Sequence, residues 1–147
     1  MASRSRFGKE AVQGLAQARK AFKALPDIAR EALADATDET AEYVRAAAVR
    51  RVPVRFGFLQ KHIAKKVSRK TGVATVGIAK GQDTTPDGKR VDPSRYAHLV
   101  EFGSVHNEAS HFMLNSLEEQ RGPFLERCRK AGKTIEADTA NVGSRFV

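Results

Sequence analysis

The sequence predicts an α+β fold in which long N-terminal and C-terminal helices pack on a small, mainly antiparallel sheet. Three observations carry this prediction. Apolar residues recur at helical spacing near both ends of the chain. Ala74, Val76 and Ile78 alternate with smaller residues, as on a half-buried strand. Between the strand and the last helix, residues 80–94 are rich in turn formers and poor in core formers.

The elements follow in order. Phe7, Ala11, Leu15, Ala18, Phe22 and Leu25 place an amphipathic helix over 7–25, weakened by Gly8 and Gly14 and read as an arm, residues 1–25. Pro26 suits the first turn of a second helix, whose stripe is Ile28, Ala32, Ala36, Tyr43 and Ala47. Asp27 and Glu31 near its start and Arg45, Arg50 and Arg51 near its end complement the helix dipole. Pro53 stops this helix, because the residue before a proline is pushed out of the α region. Leu59, Ile63 and Val67 fit either a short helix or a strand by spacing. Ser68-Arg69-Lys70-Thr71-Gly72 reads as a hairpin connection into the strand of Ala74, Val76 and Ile78. Residues 80–94 are expected to form a long exposed loop. The chain returns to the core over Arg95 to Phe102, Ser110 caps a helix from about Phe112, and Gly122-Pro123 breaks it. Phe124, Cys128, Ala131 and Ile135 mark a last helix ending near 139. Residues 26–139 thus form one α+β domain, with 140–147 as a flexible tail.

Composition narrows the function. Alanine supplies 22 of the apolar residues and there is no Trp, which fits a subunit stabilised by neighbouring copies. No stretch approaches the ~18 apolar residues of a membrane span, and the N-terminus lacks a signal-peptide apolar region. The lone Cys128 reads as a packed helix residue of a protein made in a reducing cytoplasm. The net charge of +9 is unevenly distributed. Between Tyr43 and Gln82 there is no Asp or Glu, but ten Lys and Arg, while the rest of the chain is nearly neutral. Such a block calls for a polyanion or an acidic protein surface, or else is a solvated helix end and one exposed strand face.

Catalytic chemistry is not expected. His106 and His111 are five apart, with Glu108 second after His106, so the zinc-protease pattern fails. His98 adds no metal-ligand spacing, and a His-Asn-His nuclease reading lacks supporting residues. Gly81 and Gly88 lack the strand-to-helix context of a phosphate loop, and Ser104 and Ser110 lack a nucleophile elbow. No cofactor and no metal are expected. The alternative function is a small basic protein that binds nucleic acid non-specifically through Lys61, Lys65, Lys66, Arg69 and Lys70. Five phosphate contacts would give a log–log salt slope of about −4 to −5. Stacking aromatics are missing from that cluster, and no base-reading motif is present.

Two stretches, Val52-Pro53-Val54-Arg55-Phe56-Gly57-Phe58-Leu59 and Tyr96-Ala97-His98-Leu99-Val100-Glu101-Phe102-Gly103-Ser104, stand apart. Pro53, Gly57 and Leu59 follow a long helix. Tyr96, Ala97, Val100, Glu101, Phe102 and Gly103 come later, before Ala109-Ser110-His111-Phe112-Met113-Leu114. In this order and spacing, over about residues 27–138, the chain resembles the tail-completion, or neck, proteins of long-tailed bacteriophages, also described as tail components. Phe56 and Ser104 stand where the family pattern has Thr, and His111 stands where it has Pro, which puts the docking angle of the last helix in question.

The resemblance implies a structural virion protein rather than an enzyme. It would be a head–tail connector, assembled in the cytoplasm of the bacterial host as a homo-oligomeric, hexameric ring. Expected partners are a head-closure (stopper) protein, a tail terminator protein and the double-stranded DNA passing through the lumen, with no membrane. Glu101 is the first choice for a salt bridge between subunits or rings, against pairing with a basic residue of its own subunit. Arg55, Lys61, Lys65, Lys66, Arg69 and Lys70 are further contact candidates, most of them expected to dock on an acidic neighbouring ring and a few to lie near the lumen. Tyr96 and Phe102 are expected in the core, Leu59 and Phe112 count as structural-motif residues, and Gly57 and Gly103 are expected to serve backbone geometry that a Cβ would obstruct.

Overall fold

The computed structural model describes residues 27–145, with side chains to residue 137, so the arm expected over 1–25 lies outside the described residues. Helix α1 (Asp27–Arg51) is followed by a short α2 (Phe58–His62), strands β1 (Ile63–Ser68) and β2 (Val73–Ile78), and a second small pair, β3 (Asp83–Thr84) and β4 (Arg90–Val91). Helices α3 (Pro93–Phe102) and α4 (Phe112–Arg145) complete the order. The fold is α+β, with long helices on a two-stranded antiparallel sheet and a second small hairpin.

Helix α1 is the centre of the molecule, packed on α4 along one side and on both strands of the β1–β2 hairpin. It buries Ala29, Ala34, Ala36, Ala41, Ala47 and Ala48 with Val44. The single stripe expected from the sequence is therefore corrected. Ile28 and Tyr43 lie exposed, because a helix covered on two sides needs a wide arc of small side chains. Alanine faces let neighbouring helices approach closely. Tyr43 instead lies at the edge of the helix pair, with the Arg127 guanidinium 4.4 Å from its ring centre.

The larger apolar core lies beyond the end of α1. Val52, Leu59, Ile63 and Phe112 meet Ala48 there, with Val76, Ile78, Tyr96 and Val100 packed around them. Leu59 and Ile63, ambiguous by spacing, divide at the boundary between α2 and β1. β1 and β2 pair from Ile63 opposite Ile78 to Ser68 opposite Val73. Gly72, at φ 64°, closes the connection by donating its amide to the Ser68 carbonyl at 2.8 Å.

Four further expectations are corrected. Residues 80–94 are not a plain loop: they hold the β3–β4 hairpin and the start of α3. The Asp92 carboxylate accepts from the Ser94 amide at 3.0 Å, and Pro93 occupies the first turn, where its missing N–H has no helical partner to lose. Phe102, expected in the core, is 73% exposed. Gly122-Pro123 does not break the last helix, and α4 continues to Arg145, past the expected end near 139. Both residues face solvent, and α4 is tied to α1 on either side of them, by Arg51–Glu119 before and Arg127–Glu39 after. Tertiary packing thus overrides the local cost of an interior proline. Finally, Ser110 does not cap α4. Its hydroxyl donates to the Val100 carbonyl at 2.8 Å.

Among the described residues no helix is long and apolar enough to cross a membrane.

Candidate functional site

The two conspicuous stretches of sequence meet in space. Helix α2 packs against α3, and the loop after Pro53 closes one end of a cavity of about 580 Å³ between them. Val54, Phe56, Tyr96, Leu99 and Val100 form its apolar lining, with Arg55 and Glu108 supplying charge. Gly57 sits at φ 73° as the N-cap of α2, which turns the loop back under the rim. Phe56 stacks on Phe58 with ring centres 5.6 Å apart, and the Arg55 guanidinium lies 5.3 Å from the Phe56 ring centre. Val54, Phe56 and Leu99 nevertheless remain largely open to solvent.

Next to the cavity-lining Val100, Glu101 is only 7% exposed. Its carboxylate accepts from the Met113 amide at 2.9 Å and the Leu114 amide at 3.0 Å. Its carbonyl accepts from the His111 amide at 3.1 Å. One residue of α3 thus satisfies amides that the first turn of α4 would leave without partners, and its negative charge suits a helix N-terminus. Within its own chain Glu101 makes this cap rather than a salt bridge to a base. Gly103, at φ 82°, then reverses the chain. A Cβ there would lie 2.9 Å from the Ala109 amide nitrogen. The tight turn of Ser104 to Asn107 leaves Val105 97% exposed.

The basic interval divides into two sets. Alternation along β1 turns Lys65 toward α1, where its ammonium meets Asp38 at 2.6 Å and Glu42 at 3.2 Å. Arg69 reaches Asp35 at 2.9 Å, Arg45 pairs with Glu42, and Arg51 pairs with Glu119 at 2.8 Å. Hydrogen bonds from Arg45 and then Lys65 hold the Glu42 carboxyl down to about 2; Glu42 in turn raises Arg45, and Asp38, ahead of Glu42, raises Lys65. Arg50, Arg55, Lys61, Lys66, Lys70 and Lys80 have no carboxylate partner among the described residues; Lys61 lies 5.7 Å over the Phe58 ring. The acidic ridge of Asp35, Asp38 and Glu42 was visible in the sequence at spacings of three and four, just before the acid-free interval. Its relation to β1 was not.

Among the described residues no three His, Cys, Asp or Glu side chains come together to hold a metal ion. His62 bonds Asp83 at 2.9 Å and its ring fills the space that a Cβ on Gly81 would need, so this pair fastens the second hairpin to the end of α2. Burial pushes the Cys128 thiol up, away from the reactive thiolate.

The described residues form a two-layer fold with an open apolar groove and ion pairs that tie its own elements together. The chain belongs to the HK97-gp10-like family, described as "Bacteriophage HK97-gp10, putative tail-component", which matches residues 16–103. The match includes the first of the two stretches and all of the second but Ser104, and agrees with the family that the sequence resembles. As a bacteriophage tail component, the protein is a virion protein. Comparison with curated proteins and comparison with solved structures each return no match.

Proposed function

We propose that the chain is the tail-completion subunit of the phage neck, joining copies of itself into a hexameric ring around the DNA channel. The ring would sit between a head-closure protein and a tail terminator protein, after assembly in the bacterial cytoplasm, and its role is structural rather than enzymatic. One observation carries this reading. Buried hydrophobic residues of the described part are mostly alanine, with Val44, Val52, Phe58, Leu59, Ile63 and Phe112 as the larger ones. Ten large apolar residues stay exposed, and Val54, Phe56 and Leu99 of these line the groove. Single exposed apolar residues are ordinary, but a set lining a groove is the mark of a protein contact. A ring fits, because a groove on one side of a subunit that receives a different surface of the next makes a heterologous contact, and such contacts give a ring where the rotation between subunits closes.

The test is the oligomeric state of the full chain and of Val54→Asp/Leu99→Asp, by native mass spectrometry and sedimentation. Wild type is expected to form a closed oligomer, and the variant to remain folded but monomeric and fail to restore joined particles to a phage lacking the gene. A wild-type chain that stays monomeric at every concentration, and tails that join heads without it, would sink the proposal. The six cations without carboxylate partners keep non-specific nucleic-acid binding as the second reading. It predicts a soluble monomer that binds DNA and is absent from particles.

A further inference from the structure

We propose that the outward face of the β1–β2 ribbon rests against the phosphate backbone of double-stranded DNA. This deepens the neck reading and rests on it for the source of the duplex, but the surface is defined by its own chemistry. Alternation along β1 turns Ala64, Lys66 and Ser68 away from α1, and the register sets Gly77, Thr75 and Val73 directly opposite them on β2. Residues opposite each other in an antiparallel pair share a face. That face, with Lys70 and Thr71 at its tip, holds cations and hydroxyls but no Asp or Glu. Lys66 and Lys70 are exposed and have no carboxylate partner among the described residues, whereas the inward Lys65 and the turn residue Arg69 are paired with α1.

The occupant follows from what else the face lacks. A protein interface is anchored by large apolar or aromatic side chains filling pockets, and here the only sizeable apolar residue is the half-buried Val73. Three exposed apolar residues, Val54, Phe56 and Leu99, line the groove instead. Lysine ammonium groups and Ser and Thr hydroxyls are among the groups that contact phosphate oxygens, and such contacts carry no sequence information. No Arg, Asn or Gln lies among the strand residues of the outward face to recognise a base edge. The contact is therefore independent of sequence, as suits a duplex that must slide past. The acidic ridge on α1 has a part in this arrangement. It neutralises the cations that face inward and leaves two on the outer surface, so the hold on DNA stays weak.

The experiment measures binding of a labelled 30-base-pair duplex to the full chain over a series of salt concentrations. Wild type is compared with Lys66→Gln/Lys70→Gln. Lys130→Gln/Lys133→Gln, on the exposed side of α4, makes the same change in net charge elsewhere, and circular dichroism checks that each variant is folded. The ribbon variant is expected to bind several-fold more weakly at low salt, with a log–log slope shallower by about 1.8 or more, and Lys66→Arg/Lys70→Arg to recover the slope. The α4 variant is expected to bind as wild type does. Equal effects of the two Gln variants, or unchanged binding by the ribbon variant, would overturn the proposal. If the ribbon variant binds DNA normally yet no longer enters particles, the face meets an acidic protein surface instead. Absence of the wild-type chain from particles would remove the neck reading and leave the binding result standing.

Discussion

Glu101 and His111 meet where α3 hands the chain to α4, and each departs from what its residue type ordinarily does. A buried carboxylate needs hydrogen bonds to remain charged at low cost. Glu101 finds them in two amides twelve and thirteen residues further on. Glu101→Ala leaves both amides without an acceptor and is expected to cost roughly 2–3 kcal/mol of stability. Glu101→Gln, which keeps one carbonyl oxygen, should cost less. Urea denaturation of both variants under monomeric conditions measures this, and an unchanged midpoint for Glu101→Ala would show the residue acting only between subunits. His111 stands at φ 47°, in the left-handed region. Proline, the residue of the related pattern at this position, is fixed near −65° and has no amide to give the Glu101 carbonyl. His111→Pro is therefore expected to destabilise by more than about 1 kcal/mol, and His111→Gly to stabilise by about 0.5–1 kcal/mol. Thermal unfolding of the two variants should move in opposite directions. The entry into α4 thus follows a route that proline could not take.

At the level of elements, the clamp between α1 and β1 has a pH dependence whose sign can be worked out. The Glu42 carboxyl is held at about 2, below its ordinary value of 4.5, chiefly by Arg45 and then by Lys65. A carboxyl with a lowered folded-state value contributes stability above its unfolded value and loses it as the pH falls through the folded one. The window is therefore roughly pH 4.5 down to 2. The thermal midpoint of wild type is expected to fall in that window more than that of Glu42→Gln. Added salt should narrow the difference, because Glu42 is half exposed and the pair is screened. A difference that is the same at pH 7 and pH 2 would refute the assignment. The elements also mark what could be read beforehand. Pro53 stopped α1 and the alternation of Ala74, Val76 and Ile78 gave β2, since both depend on neighbouring residues alone. The continuation of α4 through Pro123 depends on contacts with α1 across the fold, and the Glu101 cap on a residue twelve positions away. Neither leaves a local trace.

For the whole molecule, the division of labour between surfaces matters more than any one contact. The acid-free interval appeared as a single block in sequence because charge was counted along the chain. In space, strand parity sorts Lys65 from Lys66, and the ridge on α1 answers only the first. The parity was present in the alternating pattern; the position of α1 beneath the ribbon was not. The two stretches were conspicuous in sequence, but neither their meeting in a groove nor the outward Phe102 could be foreseen, since its burial depends on which face of a ten-residue helix meets the core.

The pairing of α1 with α4 sets an order on the birth of the protein. Glu39 and Thr40 meet Arg127 across most of the chain, so α1 leaves the ribosome long before its partner exists. The hairpin on its other side is separated from it by far less sequence and can form first. Until α4 is made, the alanine face of α1 waits uncovered. Because that face is made of methyl groups rather than leucines, the waiting intermediate has little to offer a passing chain. A helix chosen for close packing in the finished subunit is thereby also a discreet one during synthesis.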